Sequence, residues 1–307
     1  MLRKFLKLAL LSELRHNPFD VVNIYDTFSD LMNITTGGKF LNFGYWDPEV
    51  SNPIDAQIKL TNMVGKFGHF CNANYILDLG SGYSIPALTW LNSYPTVKIY
   101  CINLSYKQII EGKTISDQNQ LLEQSSFVLD SIKNLKDRLA YINSTSTFLA
   151  LKNSTMDRIV AFESAQHFSP FIDFIREARR ILKQFGKLVI AVPVLVYKPP
   201  GKRIPLYELR KLGILKITWA SEHYEIEFIK SMIENNGFRI EEVVYIGSNV
   251  YQPLANYYIK NRNTLRRMVL NRYPNFIELV INWSISKMKM TSEKGIIEYA
   301  LVRAVKK

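Results

Sequence analysis

The sequence predicts an α/β fold, a doubly wound and mostly parallel sheet of seven strands with an N-terminal helical cap and lid insertions. Three observations lead there. From Tyr75 onward, short runs rich in β-branched and aromatic residues alternate with longer helical stretches, as strands joined by crossover helices do. The first such run ends in Gly80-Ser81-Gly82, where the backbone can turn sharply and approach a ligand. With 307 residues, 47% of them apolar, the chain can bury one large core with additions.

The elements follow in order. The opening MLRKFLKLALLSELR sets Leu2, Phe5, Leu6, Ala9, Leu10 and Leu14 at helical spacing among Arg3, Lys4, Lys7 and Arg15. It reads as a docking helix, an interfacial membrane helix or a disordered stretch; a secretory signal would need a longer apolar run and a small-residue cleavage site. Residues 1–60 are expected to form the helical cap and 61–193 the core. Strands are expected at Tyr75–Leu79, Lys98–Ile102, Leu139–Asn143, Met156–Phe162, Gly186–Val192, Arg239–Ile246 and Glu298–Val305. Helices are expected at Pro86–Tyr94, Tyr106–Leu122, Phe171–Lys183 and Tyr224–Asn236. Ser84 suits the N-cap of the first, and Asn236-Gly237 suits the end of the last. Residues 194–222, rich in Pro, Lys and Tyr, are needed by no sheet layer and read as a lid. Residues 223–307 return to the core around a basic helical insertion at 251–290.

Composition narrows the function classes. No apolar stretch is long enough to span a bilayer, so a cytoplasmic protein is expected, with peripheral contact to an anionic membrane left open. The net charge of +12 draws any polyanion and cannot choose among nucleic acid, membrane and acidic substrate. Cys71 and Cys101 lie in or beside apolar segments without histidines at metal spacing; they read as buried thiols, and no metal site is expected. The glycine turn alone is compatible with a nucleotide-type ligand or a tight structural turn. A nicotinamide reading needs G-x-G-x-x-G and a later acid for the ribose, whereas Gly80, Gly82 and Ile85 break the triplet and the second strand ends Cys101-Ile102-Asn103-Leu104-Ser105.

ILDLGSGY, IYCINLSYKQI, MDRIVAFESAQHF and EARRILKQFGKLVIAV, in that order, resemble the motif series of class I S-adenosylmethionine (SAM)-dependent methyltransferases. FLNFGYWD ahead of the glycine turn narrows the resemblance to the small-molecule and lipid group that includes sterol, tocopherol and cyclopropane-fatty-acid enzymes. The resemblance covers residues 25 to 192 and implies a Rossmann-like core, SAM as cofactor, and the last two strands as a hairpin. It implies that Asp78, Gly80, Ser81 and Gly82 surround the methionine end of SAM, with backbone amides and a helix N-terminus receiving its carboxylate. Tyr25, Asn42, Gly44 and Tyr45 would reach the cofactor from the preceding segment, although Tyr45 and Trp46 read equally as core aromatics. Asn103, Leu104 and Gln108 stand where the ribose is usually held by an acid, and Ser144, Thr145 and Ser146 where an adenine-contacting acid is usual.

Methyl transfer needs alignment and exclusion of water more than it needs catalytic groups. Glu163 and His167 nevertheless follow the fourth strand, where they would face the reacting centre; His167 could take a proton from a hydroxyl or amine, or only cap a helix. In the lid, Lys198, Lys202, Arg203, Arg210 and Lys211 interleave with Tyr197, Tyr207 and Trp219, either gripping an anionic, isoprenoid-diphosphate-like acceptor or forming a solvated flap. The run Lys260, Arg262, Arg266, Arg267 and Arg272, near Tyr257, Tyr258 and Phe276, admits a membrane-surface reading as well. The favoured acceptor is a small organic or lipid-like molecule, methylated on oxygen, nitrogen or carbon. A second reading methylates RNA or protein, but no nucleic-acid module is appended and Phe162-Glu163-Ser164-Ala165 replaces the N/D-P-P-Y/F of base-amine enzymes. A third is a non-catalytic member that has lost SAM, motivated by the missing acids at Asn103 and Thr145.

Overall fold

The computed structural model describes residues 40–118, 136–196 and 225–307, together with Val22, Leu31, Asn33 and Ile34. The chain there runs α1 (Pro53–Phe67), β1 (Tyr75–Leu79), α2 (Ile85–Ser93), β2 (Lys98–Asn103), α3 (Tyr106–Gln118), β3 (Leu139–Asn143) and β4 (Met156–Phe162). It continues through α4 (Phe171–Ile181), β5 (Leu182–Leu195), α5 (Ile226–Asn235), β6 (Phe238–Tyr245), α6 (Tyr251–Leu270), α7 (Asn275–Glu293) and β7 (Ile297–Lys306). Tyr25, the opening amphipathic stretch and the charged residues of the expected lid lie outside the described residues.

The seven strands hydrogen-bond in the order β3-β2-β1-β4-β5-β7-β6. Pairs from β3 through β5 are parallel, and β7 runs antiparallel between β5 and β6. Alternating side chains feed two cores. Ile76, Ile99, Val160, Val189 and Leu301 pack with Leu60 and Val64 of α1, Trp90 of α2 and Leu254 of α6 on one face. Leu77, Ile102, Ile159, Leu188 and Ile190 pack with Phe174 and Ile175 of α4 and Ile229 and Ile233 of α5 on the other. Burying such side chains fully stabilises by roughly 1.5–3 kcal/mol each, so the two-sided strands are the most strongly held part of the fold.

Several boundaries differ from expectation for identifiable reasons. α4 stops at Ile181 because Leu182 already pairs with Met156; the excess residues before Lys187 pairs with Arg158 loop out, leaving Phe185 exposed at φ +61°. β5 runs on to Leu195, so the first residues of the expected lid belong to the sheet. Ser84 holds the N-cap position of α2 as expected, but at φ 59° its side chain makes no capping bond and its hydroxyl donates instead to Ser81 Oγ at 3.0 Å. Cys71 is exposed rather than buried, because the short turn Phe70–Asn72 turns Phe70, not its neighbour, into the core; Cys101 is buried as expected. Gly237 takes φ +82° just beyond α5, as the expected stop requires.

α6 and α7 pack through Tyr258, Leu265, Val269, Ile277 and Ile281, joined by Leu31 and Ile34. Two of the basic residues there serve the fold, since Arg262 makes two hydrogen bonds to the fully buried Glu278, at 2.8 and 3.2 Å, and Arg266 lies 3.8 Å from it. Among the described residues no helix is long and apolar enough to cross a membrane.

Candidate active site at the carboxyl edge of the sheet

β1 and β4 are neighbours, yet the chain leaves β1 toward β2 and leaves β4 toward β5. Their following loops therefore part, opening a crevice at the carboxyl ends of the strands, the usual ligand position in such sheets. An open cleft occupies it. Asn42, Asp78, Gly80, Ser81, Gly82, Asn103, Leu104, Gln108, Ser144, Thr145, Glu163 and His167 all line this one cleft. Gly44 and Tyr45 do not.

The glycine turn is built for close approach. Gly80 has φ +74°, and a Cβ there would lie 2.4 Å from Ser164 Cβ, so a side chain is excluded by both strain and space. The amides of Gly80 and Ser81 both donate to the Ile102 carbonyl, at 2.8 and 3.0 Å. This ties the turn to β2 and removes those two amides from the set expected to receive a carboxylate. Gly82 offers its amide, which has no hydrogen-bond partner among the described residues.

Asp78, at 2% exposure, carries a carboxyl with no hydrogen bond among the described residues, and burial pushes its pKa up to about 7. Asn103 spends its amide hydrogens on Gly82 O at 3.1 Å and Gln108 Oε1 at 2.8 Å, leaving Oδ1 as an acceptor. Asn143 Nδ2 donates to the carbonyls of Asn103 and Leu104, each at 2.9 Å, which fixes the β2 end beside the Ser144 to Thr147 hydroxyls.

Across the cleft, Glu163 adopts φ +50° just past β4. Its Oε1 accepts from Phe43 N at 3.0 Å and Tyr299 Oη at 2.9 Å, while burial pushes its pKa up to about 8 against those two bonds. His167 ends the turn Ala165–His167, its amide bonded to Ser164 O at 2.9 Å, and half-buried it faces the same space.

Residues 40–47 form a strap over this end. Gly44 has φ +79°, and a Cβ there would sit 2.6 Å from Ala56 Cβ, so glycine is required for contact with α1 rather than with a ligand. Tyr45 N donates to Ala56 O at 2.9 Å, and Trp46 is buried in the core with its backbone exchanging bonds with Asn249 at 2.7 and 2.9 Å. The core reading of both aromatics is the one the packing favours. Tyr299, the Phe43 amide and Asn249 were not foreseen from sequence; a tyrosine in a strand pattern carries no signal of its hydroxyl's partner.

Residues 77–190 match the family described as a methyltransferase domain. Over these residues the chain carries a methyltransferase domain. It is 25% identical over 275 residues to the erythromycin 3''-O-methyltransferase of Saccharopolyspora erythraea, covering 89% of this chain and 83% of that one. It is 25% identical over 196 residues to the 27-O-demethylrifamycin SV methyltransferase of Amycolatopsis mediterranei, covering 64% of this chain and 66% of that protein. In fold it is similar to a mycolic acid cyclopropane synthase complexed with SAH, with a TM-score of 0.74 at 14% identity over 96% of this chain and 100% of that one.

The methyltransferase cleft fits SAM by its own chemistry. A buried carboxyl without a partner among the described residues suits an ammonium, so Asp78 could hold the amino group of the methionine part. The side-chain-free Gly80 leaves backbone exposed for close contact, Asn103 Oδ1 could accept from a ribose hydroxyl, and Ser144 to Thr147 offer hydroxyls for an adenine edge.

Proposed function

We propose that this methyltransferase transfers the SAM methyl group to a hydroxyl of a small, uncharged organic acceptor, with Glu163 and His167 as the proton-accepting pair. The observation that carries this reading is that one cleft joins the Asp78 and Gly80 to Gly82 wall to the Glu163 and His167 wall. When bound, SAM supplies an electrophilic methyl group whose C–S electron pair returns to sulfur as the new bond forms. A hydroxyl is a weak nucleophile while it keeps its proton, so a positioned acceptor for that proton accelerates its attack, typically by 10²–10⁴-fold. The names of the two relatives, both acting at oxygen positions, support a hydroxyl over an amine or carbon.

The charge of the cleft supports the uncharged acceptor. Its described lining includes Asp78 and Glu163 and no lysine or arginine, which disfavours a phosphorylated or diphosphate acceptor. The apolar Phe40, Leu41, Phe162 and Phe168 add surface for a hydrophobic body.

Incubation of the protein with methyl-labelled SAM and a panel of polyhydroxylated macrolides, glycosides and lipids, followed by mass spectrometry, tests the reading. An O-linked labelled methyl group is the expected product. Label appearing only on nitrogen, carbon or RNA, or no SAM binding by calorimetry at millimolar concentration, would overturn it.

A further inference from the structure

Glu163 is gripped from two elements remote from it in sequence. The Phe43 amide of the strap is 120 residues away and the Tyr299 hydroxyl of β7 is 136 residues away, and both bonds converge on Oε1. Oε2 has no partner among the described residues, in a side chain that lines the cleft. The backbone at φ +50° is a conformation glutamate adopts only where its surroundings hold it.

We propose that Tyr299 is a positioning residue of the active site: its hydroxyl, together with the Phe43 amide, locks the Glu163 carboxyl so that Oε2 takes the proton of the acceptor hydroxyl. This rests on the O-methyltransferase reading above.

Packing alone does not call for a tyrosine. Tyr299 is fully buried, its ring 6.3 Å from that of Tyr251, and a phenylalanine would fill the same space without a hydroxyl to satisfy. That hydroxyl is spent on Glu163. The other ionisable groups around Glu163 do not replace it. Tyr251 at the start of α6 donates its hydroxyl to Glu298 O at 3.1 Å, Asp78 at the end of β1 is of like charge, and His167 shares the cleft wall. With no lysine or arginine in the described lining, Phe43 and Tyr299 are the donors that favour ionised Glu163. In the step itself the acceptor O–H bond breaks, its proton passes to Oε2, and its electron pair stays on the oxygen that forms the new O–C bond.

Tyr299→Phe tests this by two routes. In the cofactor-free protein, the Glu163 carboxyl is titrated by ¹³C NMR with glutamate labelling and assigned by Glu163→Gln. Loss of one bond to a charged group should raise its midpoint by about one pH unit. In turnover, kcat at pH 7 should fall about tenfold and its acid limb move up equally, while KM for SAM and acceptor changes less than about twofold. In the Glu163→Gln background, the same substitution should change kcat by less than about twofold. An unmoved Glu163 titration, or a lowered Tm or raised KM with kcat and its pH profile intact, would overturn the proposal. A wild-type chain that binds and transfers nothing would instead sink the O-methyltransferase reading, and the NMR titration would still decide whether Tyr299 governs Glu163.

Discussion

Asp78 and Glu163 set two carboxyls in a cleft whose described walls hold no lysine or arginine, and both bind their protons more tightly folded than unfolded. Each thus favours the fold fully only below the unfolded carboxylate pKa, near pH 4, and that stability is lost as pH rises through about 7 for Asp78 and about 8 for Glu163. Asp78→Asn removes one of these costs. In denaturant unfolding at pH 8.5 it should be more stable than wild type by roughly 2–4 kcal/mol, while calorimetry shows its SAM affinity reduced. A cation entering the wild-type cleft favours the ionised carboxyls, so SAM binding at pH 7 should release protons. Titration in buffers of different ionisation enthalpy measures that release, and in Asp78→Asn it should fall by the share Asp78 contributes. This half of the site was legible in the sequence, because Asp78, Gly80, Gly82 and Asn103 sit at strand ends where the alternation places them. On the other wall Glu163 and His167 were expected after β4, but not Tyr299 and Phe43, which reach Glu163 only through pairings across more than a hundred residues.

At the scale of elements, the strap shows how one motif can divide its residues between a cleft and the packing behind it. FLNFGYWD does lie beside the cleft through Phe40, Leu41 and Asn42, but Gly44 faces α1 and Trp46 faces the core. Gly44→Ala imposes an unfavourable φ and a contact of 2.6 Å with Ala56. It should cost roughly 2–3 kcal/mol in guanidinium unfolding and weaken SAM binding, because the strap that carries Leu41 and Asn42 must shift. Strands were readable where burial on both faces gives short apolar runs bounded by turns, as in Tyr75–Leu79 and Met156–Phe162, and the half-buried edge strand Leu139–Asn143 also has the expected bounds. The start of β5 was not readable. It depends on residues looping out opposite Met156 and Arg158, which pairing geometry decides and local propensity does not.

For the whole molecule, a ligand that engages the loops after β1, β2, β3 and β4 together acts on the assembled sheet and on no fragment of it. SAM at a hundred times its Kd should therefore stabilise by about 2.7 kcal/mol and raise Tm by roughly 5 °C, read by thermal shift. Adenosine, which lacks the end that Asp78 could hold, should give a smaller rise at equal concentration. The formal charge of +12 is partly internal to the architecture, since Arg262 and Arg266 are committed to Glu278 and Arg303 lies 3.0 Å from Glu241 and 2.8 Å from Glu242. The antiparallel β7 has a temporal meaning as well. Synthesised after the other six strands of this sheet yet slotted between β5 and β6, it leaves the nascent sheet with a gap until Ile297–Lys306 has emerged, and Glu163 waits for its tyrosine until then. A chain that stopped before Ile297 would leave β5 and β6 as two raw strand edges, and aggregation or proteolysis, rather than slow turnover, is its expected fate.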